Sequence, residues 1–168
     1  MLPLQNNIIY VIKSISMKGS PFYTSGLRFS CKKCSSCCRY EDGYVYLSEK
    51  DLKKLAAKLK MEPSGFIKTY CRWVAGLKAA EVLSLKEKST KDCIFWDSGC
   101  SVYDARPLQC RTFPFWKDIV ASRSAWKTAA SGCPGMDTGK LYDEPEIGKI
   151  LEMRIEEPLI TKQGSIYK

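Results

Sequence analysis

Phe29-Ser30-Cys31-Lys32-Lys33-Cys34-Ser35-Ser36-Cys37-Cys38-Arg39 is the stretch on which the reading of this chain turns. It places four cysteines within eight residues, spaced C-x2-C-x2-C-C, among lysine, serine and arginine. A buried free cysteine packs like a small hydrophobe and keeps apolar neighbours, so a core segment would not read this way. Thiolates at this spacing bind soft metals or an iron–sulfur cluster. Working outward, Cys93, Cys100, Cys110 and Cys133 fall on turn-like segments, and Cys71 stands apart. Nine cysteines and no histidine in 168 residues is far from ordinary composition.

Disulfides are the rival use of so many cysteines, and they belong to oxidising compartments. The apolar run at residues 8–12 has no basic residue before it and no clean small-residue cleavage site after it, so it does not read as an export signal. The adjacent Cys37 and Cys38 also suit a disulfide framework badly. No apolar run approaches the ~20 residues that span a bilayer. The expectation is a cytoplasmic protein with no membrane partner, and 45% apolar residues suffice for one modest core.

The formal charge of +9 shrinks once metal-bound cysteines are counted as thiolates. Lys32, Lys33, Arg39, Arg106 and Arg111 lie near clustered cysteines, where cations lower thiol pKa values and can donate to sulfur. Elsewhere lysines alternate with acids, as in Glu49-Lys50-Asp51 followed by Lys53 and Lys54. That pattern is a solvated surface and argues against nucleic acid as the partner.

Residues 1–16 carry little charge and no strong periodicity. They read as a loosely docked tail or a mis-assigned start ahead of Met17, with a short strand at residues 8–12 as the alternative. Residues 17–168 then form the cysteine-cluster domain. Tyr44-Val45-Tyr46-Leu47 alternates like an extended segment. Ser48 suits an N-cap ahead of a helix with Leu52, Leu55, Ala56 and Leu59 on one face. After Pro63, a second helix with Phe66, Ile67, Tyr70, Cys71 and Val74 on one face would put Cys71 in the core.

Residues 81–86 and 92–96 read as the two strands of a hairpin. Pro107 suits the first turn of a short helix, and Pro114 argues against helix over residues 112–116. A short helix is expected over 124–130. A last helix starts at Pro145, faces inward with Ile147, Ile150, Leu151 and Ile155, and stops at Pro158. The fold class is α+β: a small single domain with short helices, a hairpin and long loops organised around a cysteine-ligated metal centre.

The candidate metal ligands are Cys31, Cys34, Cys37, Cys38, Cys93, Cys100, Cys110 and Cys133. The first three match the spacing by which one loop wraps three corners of a cubane cluster, and Cys133-Pro134 resembles the remote cysteine-proline that supplies a fourth. Cysteine pairs two residues apart are equally the knuckle of a four-cysteine zinc site, so zinc, iron and an iron–sulfur cluster all stay open. Neighbouring side chains diverge, so Cys37 and Cys38 should serve different metals, or one should stand behind the other. The C-x3-C-x2-C of S-adenosylmethionine radical enzymes is absent, as are a Walker loop and a dinucleotide glycine motif.

Further motifs accompany the cysteines. Leu47-Ser48 leads into Asp51-Leu52; Cys93-Ile94-Phe95 and Cys100-Ser101-Val102-Tyr103 follow; then come Arg106-Pro107-Leu108-Gln109-Cys110-Arg111 with Phe113-Pro114-Phe115, and Cys133-Pro134-Gly135. In these residues the chain resembles the YkgJ-type cysteine-cluster family of zinc- or iron-chelating domains. The resemblance covers about residues 22–155, and its one departure is Ser36, where the family usually has glycine. It implies a metal centre with no assigned biochemical role. Some members are labelled iron–sulfur oxidoreductases and the flagellin lysine methylases look related, which makes an iron–sulfur enzyme the alternative reading. In this setting Arg106, fixed by Pro107, can be aimed at a sulfur, a carbonyl or Asp104, and Arg111 can neutralise thiolate charge. Phe113, Phe115 and Trp116 would keep water from the site.

Overall fold

Ser48 caps the first long helix as its residue type predicts. Its hydroxyl accepts the Asp51 N–H at 3.1 Å, and the Asp51 carboxylate accepts the Ser48 N–H at 3.1 Å, which completes a capping box. The structure is a computed structural model that describes residues 20–39, 43–76 and 80–167. The tail expected over 1–16, its alternative strand and the start at Met17 lie outside the described residues.

Along the described chain the elements are β1 (Leu27–Phe29), α1 (Glu49–Lys58), α2 (Pro63–Tyr70), β2 (Cys71–Ala75), β3 (Glu81–Leu85), α3 (Leu108–Thr112), α4 (Arg123–Ser131), β4 (Met136–Tyr142) and α5 (Glu144–Glu156). Single 3-10 turns occupy Ser36–Cys38 and Tyr103–Ala105. The architecture is a small α+β fold with two antiparallel two-stranded sheets, β1–β4 and β2–β3. Among the described residues no helix is long and apolar enough to cross a membrane.

Two expectations need correction. The second helix stops at Tyr70, and the residues that continue its apolar spacing form β2, with Cys71 opposite Leu85 and Ala75 opposite Glu81. The Cys-Arg-Trp-Val-Ala segment fits a half-buried strand, and the cross-strand ladder outweighs a further helical turn. The hairpin therefore joins β2 to β3. Asp92–Trp96 is turn, with isolated bridges from Cys93 to Glu87 and from Trp96 to Cys100. Strand β4 was not expected at all.

The apolar side chains gather in two clusters. The first contains Leu47, Leu52, Leu55, Phe66, Cys71, Leu83, Phe95, Val102 and Ile160, so it unites α1, α2 and the β2–β3 sheet. The second contains Leu27, Phe115, Ile119, Trp126, Met136 and Ile147, and unites α4, α5 and the β1–β4 sheet. The chain crosses between them through the Cys31–Arg39 loop, through α3, and again after α5, where Ile160 returns to the first cluster.

Helix α3 is the crosspiece, held by polar groups. The Gln109 amide donates to the Tyr44 carbonyl at 2.8 Å and accepts the Tyr46 N–H at 3.0 Å. Asp51 accepts the Leu108 N–H at 2.7 Å, and the Trp116 indole donates to the Gln109 carbonyl at 2.9 Å.

Candidate metal centre

The cysteine loops meet where the two clusters join. Cys93 and Cys100 pack against the first cluster and Cys133 against the second, while Cys110 rides on the crosspiece. The Cys31–Cys38 loop is docked by its backbone, since the Cys93 N–H donates to the Cys38 carbonyl at 2.8 Å. Within that loop Lys33 and Ser35 take left-handed conformations, with φ of 53° and 65°. All nine cysteines are free thiols, with Cys31, Cys34 and Cys37 exposed and Cys71 buried.

Four of these cysteines share one local geometry. The Lys33 N–H points at Cys31 Sγ, at 3.4 Å. The Phe95, Val102 and Gly135 N–H groups favour the thiolate forms of Cys93, Cys100 and Cys133, and the Met136 N–H adds to this at Cys133. In every case the N–H two residues on is the one that favours the charged sulfur. Backbone donors placed like this satisfy and orient thiolate ligands, so each turn is already shaped to present a charged sulfur.

Five sulfurs from four separate segments act on one another. Cys37 lies within electrostatic range of Cys93, Cys100 and Cys110, and Cys38 within range of Cys93 and Cys110. Cys133 feels Cys34 and Cys37. Cys37 and Cys38 do not diverge as adjacent residues were expected to. Their Sγ atoms stand 3.7 Å apart. A tetrahedron of thiolates around a metal at ~2.3 Å has edges of about 3.8 Å, so the two sulfurs, in ordinary contact here, are close enough to face one ion.

Cys71 is outside this group; burial pushes its thiol up to about 12, opposed only by Lys86. Among the described residues no three Cys, Asp or Glu side chains are drawn around one point at metal-ligand geometry. The sulfurs are gathered, then, without forming a closed shell.

Charge explains what such a group needs. The hydrogen bond between the Cys37 and Cys38 sulfurs, with Arg106 nearby, lowers Cys37 to about 7. Its neighbours move the other way. Burial pushes Cys110 well up and the thiolates of Cys93, Cys37 and Cys100 push it further; Cys93 and Cys100 are raised by burial first and by their neighbours second. One thiolate forms readily in this group, and each further one is opposed by burial and like charge. A bound cation inverts that balance and deprotonates thiols outright, so the donor set suits a thiophilic metal.

The two arginines singled out from the sequence sit differently. The Arg106 Nε donates to the Tyr103 carbonyl at 2.9 Å, its guanidinium lies 3.5 Å over the Tyr103 ring, and its charge favours the thiolates of Cys37, Cys100 and Cys110. Arg111 turns toward carboxylates, at 3.8 Å from Asp51 and 3.9 Å from Glu157. The aromatic residues after Cys110 pack with β1: Phe29 meets Phe113 and Phe115 edge-on, at 6.2 and 6.1 Å.

Sequence reasoning did not single out Tyr103, Gln109 or Arg154. Burial raises the Tyr103 phenol, and its hydrogen bond to Cys31 raises it further. Arg154 on α5 lies within range of Asp51, Glu157 and Cys110.

Comparisons with known proteins agree with this chemistry. Residues 30–134 match the CxxCxxCC family, whose description reads "Putative zinc- or iron-chelating domain". A relative is the uncharacterized protein MJ0661 of Methanocaldococcus jannaschii, 35% identical over 96 residues. That match covers 55% of this chain and 48% of the relative, so the chain spans about half the length of this relative. No solved structure matches the chain.

Proposed function

Because the chain belongs to the CxxCxxCC family of zinc- or iron-chelating domains, we propose that Cys37, Cys38, Cys93, Cys100 and Cys110 form the heart of its metal site. Cys31, Cys34 and Cys133 complete it from the rim. The carrying observation is the mutual influence of five sulfurs delivered by loops far apart in sequence. The N–H groups that favour charged sulfur at Cys31, Cys93, Cys100 and Cys133 support the same reading. Arg106 offsets thiolate charge, and the Phe113–Trp116 aromatics limit water on the side facing β1. A bound zinc would cross-link the two clusters, whereas an iron–sulfur cluster would add one-electron exchange. A set of thiolate ligands is best kept in a reducing compartment, which supports a cytoplasmic location.

Anaerobic purification, elemental analysis and a visible spectrum test this reading. Iron with sulfide and broad charge-transfer absorption identifies a cluster, and a colourless protein with stoichiometric zinc identifies a zinc site. Cys37→Ser and Cys110→Ser should each lose most of the metal, because a hydroxyl is a poor ligand for a soft cation. Cys71→Ser should keep it. Metal content that falls equally in all three variants would refute the assignment.

A further inference from the structure

The first cysteine loop is pinned at both ends, each time beside another cysteine. At its start, the Ser30 N–H donates to the Gly135 carbonyl at 3.0 Å, and the Ser30 hydroxyl accepts the Lys140 N–H at 3.0 Å. Ser30 precedes Cys31, and Gly135 lies two residues past Cys133. This end runs on from β1 and so shares the β1–β4 sheet. At the other end the Cys93 N–H donates to the Cys38 carbonyl at 2.8 Å, and the next residue, Arg39, reaches across the same turn. Its Nε donates to Asp92 Oδ1 at 3.2 Å, and its guanidinium carbon stands 3.7 Å from the centre of the Trp96 ring. Arginine suits this place, since its fork binds a carboxylate while its flat face covers an aromatic ring.

The receiving groups are themselves held. The second Asp92 oxygen accepts the Thr90 hydroxyl at 2.9 Å, and the Asp92 carbonyl accepts the Lys88 N–H at 2.8 Å. The Trp96 N–H donates to the Cys93 carbonyl at 2.8 Å. Only 28% of the Arg39 side chain and 9% of the Asp92 side chain face solvent, so the pair is better shielded than an ordinary surface ion pair.

We propose that Arg39 is a positioning residue of the metal site: by clasping Asp92 and Trp96 it holds Cys38 against the turn of Cys93 and sets how fast metal leaves. The clasp is a property of the chain itself, whereas its effect on metal rests on the function proposed above. Local opening at this end would part Cys37 and Cys38 from the ligands of the later loops, while the Ser30 end stays in its sheet.

Amide exchange in the metal-free full chain reads the clasp, with the Cys93 N–H as reporter. Arg39→Ala should speed exchange at Cys93 several-fold and leave the Leu47 N–H, bonded to the Leu83 carbonyl in the first cluster, unchanged. Asp92→Asn should act in the same direction. The double variant should match Arg39→Ala, because the contact is already lost. An unchanged Cys93 rate in Arg39→Ala, or full additivity of the two changes, sinks the clasp.

In the zinc-loaded chain, transfer of zinc to EDTA is timed. Arg39→Ala should release zinc several-fold faster. Arg39→Lys keeps the charge but loses the flat face over Trp96, and should fall between. Lys32→Ala removes a cation from the other end of the loop and should release zinc at the wild-type rate. Equal acceleration by Lys32→Ala would make the effect one of general charge and overturn the positioning role, as would a wild-type rate in Arg39→Ala. A wild-type chain that takes up neither zinc nor iron counts against the proposed function instead, and the exchange rates alone then decide this inference.

Discussion

Asp51 shows how much a single buried carboxylate can organise. About 1% of its surface is exposed, and it accepts the Ser48 N–H and hydroxyl on one oxygen and the Leu108 N–H on the other. It therefore caps α1 and holds α3, two residues ahead of Cys110. Asp51→Ala removes the carboxylate half of the capping box and strands the buried Ser48 and Leu108 N–H groups, and is expected to cost about 2–4 kcal/mol in urea unfolding. Asp51→Asn should cost less, and equal midpoints for Ala and wild type would contradict this role.

Glu157 lies on the same seam, 2.9 Å from the Lys50 ammonium. Burial alone would raise its carboxyl, but the Lys50 hydrogen bond and the charges of Lys50, Arg111 and Arg154 outweigh that and hold it below the usual range. A carboxyl depressed by folding stabilises the fold above its unfolded pKa of ~4.3, and that contribution is lost as pH falls through the lower folded value. Glu157→Gln should therefore flatten the acid limb of a stability–pH profile and leave its shape at neutral pH unchanged.

At the scale of elements, β4 depends on a residue with no side chain. Gly139 sits at φ 75°, and a Cβ there would overlap the hydroxyl of Ser30, the residue before Cys31. That hydroxyl also accepts the Lys140 N–H at 3.0 Å. Gly139→Ala combines a left-handed conformation with overpacking and should cost about 1–3 kcal/mol, read as a lower urea midpoint. The same change should disturb Cys31 more than Cys93, which peptide-level alkylation can show. Helices α1, α4 and α5 were legible in the sequence because caps and apolar periods are local signals, as Ser48 and Pro145 illustrate. Strand β4 was not, since Met136–Tyr142 is mostly exposed and takes its partner from Leu27–Phe29, far away in the chain. Likewise β2 continues the apolar spacing of α2, and only the ladder to β3 reveals it as strand. At the site, spacing named the cysteines; that Cys37 meets Cys93, Cys100 and Cys110 depends on α3 and its Gln109 anchor, which no local pattern encodes.

For the whole molecule, the proposed metal site sits on the junction of two clusters that each have their own apolar packing. Removing the metal is expected to loosen the junction first. Hydrogen exchange in the chelated protein should rise at residues 31–39, 93–101 and 108–116, while the centres of α1 and α4 stay protected. Uniform loss of protection would show that the clusters cannot stand without metal. The order in which the chain is made adds a further consequence. Cys34 leaves the ribosome almost a hundred residues before Cys133, a delay of roughly 5–20 s at ordinary rates of synthesis. The first cluster must also wait for Ile160, whose N–H reaches the Leu47 carbonyl at 2.9 Å. Nascent chains thus carry a reactive, unsheltered thiol loop for most of their birth, and loading belongs to the last moments of translation or to the finished polypeptide.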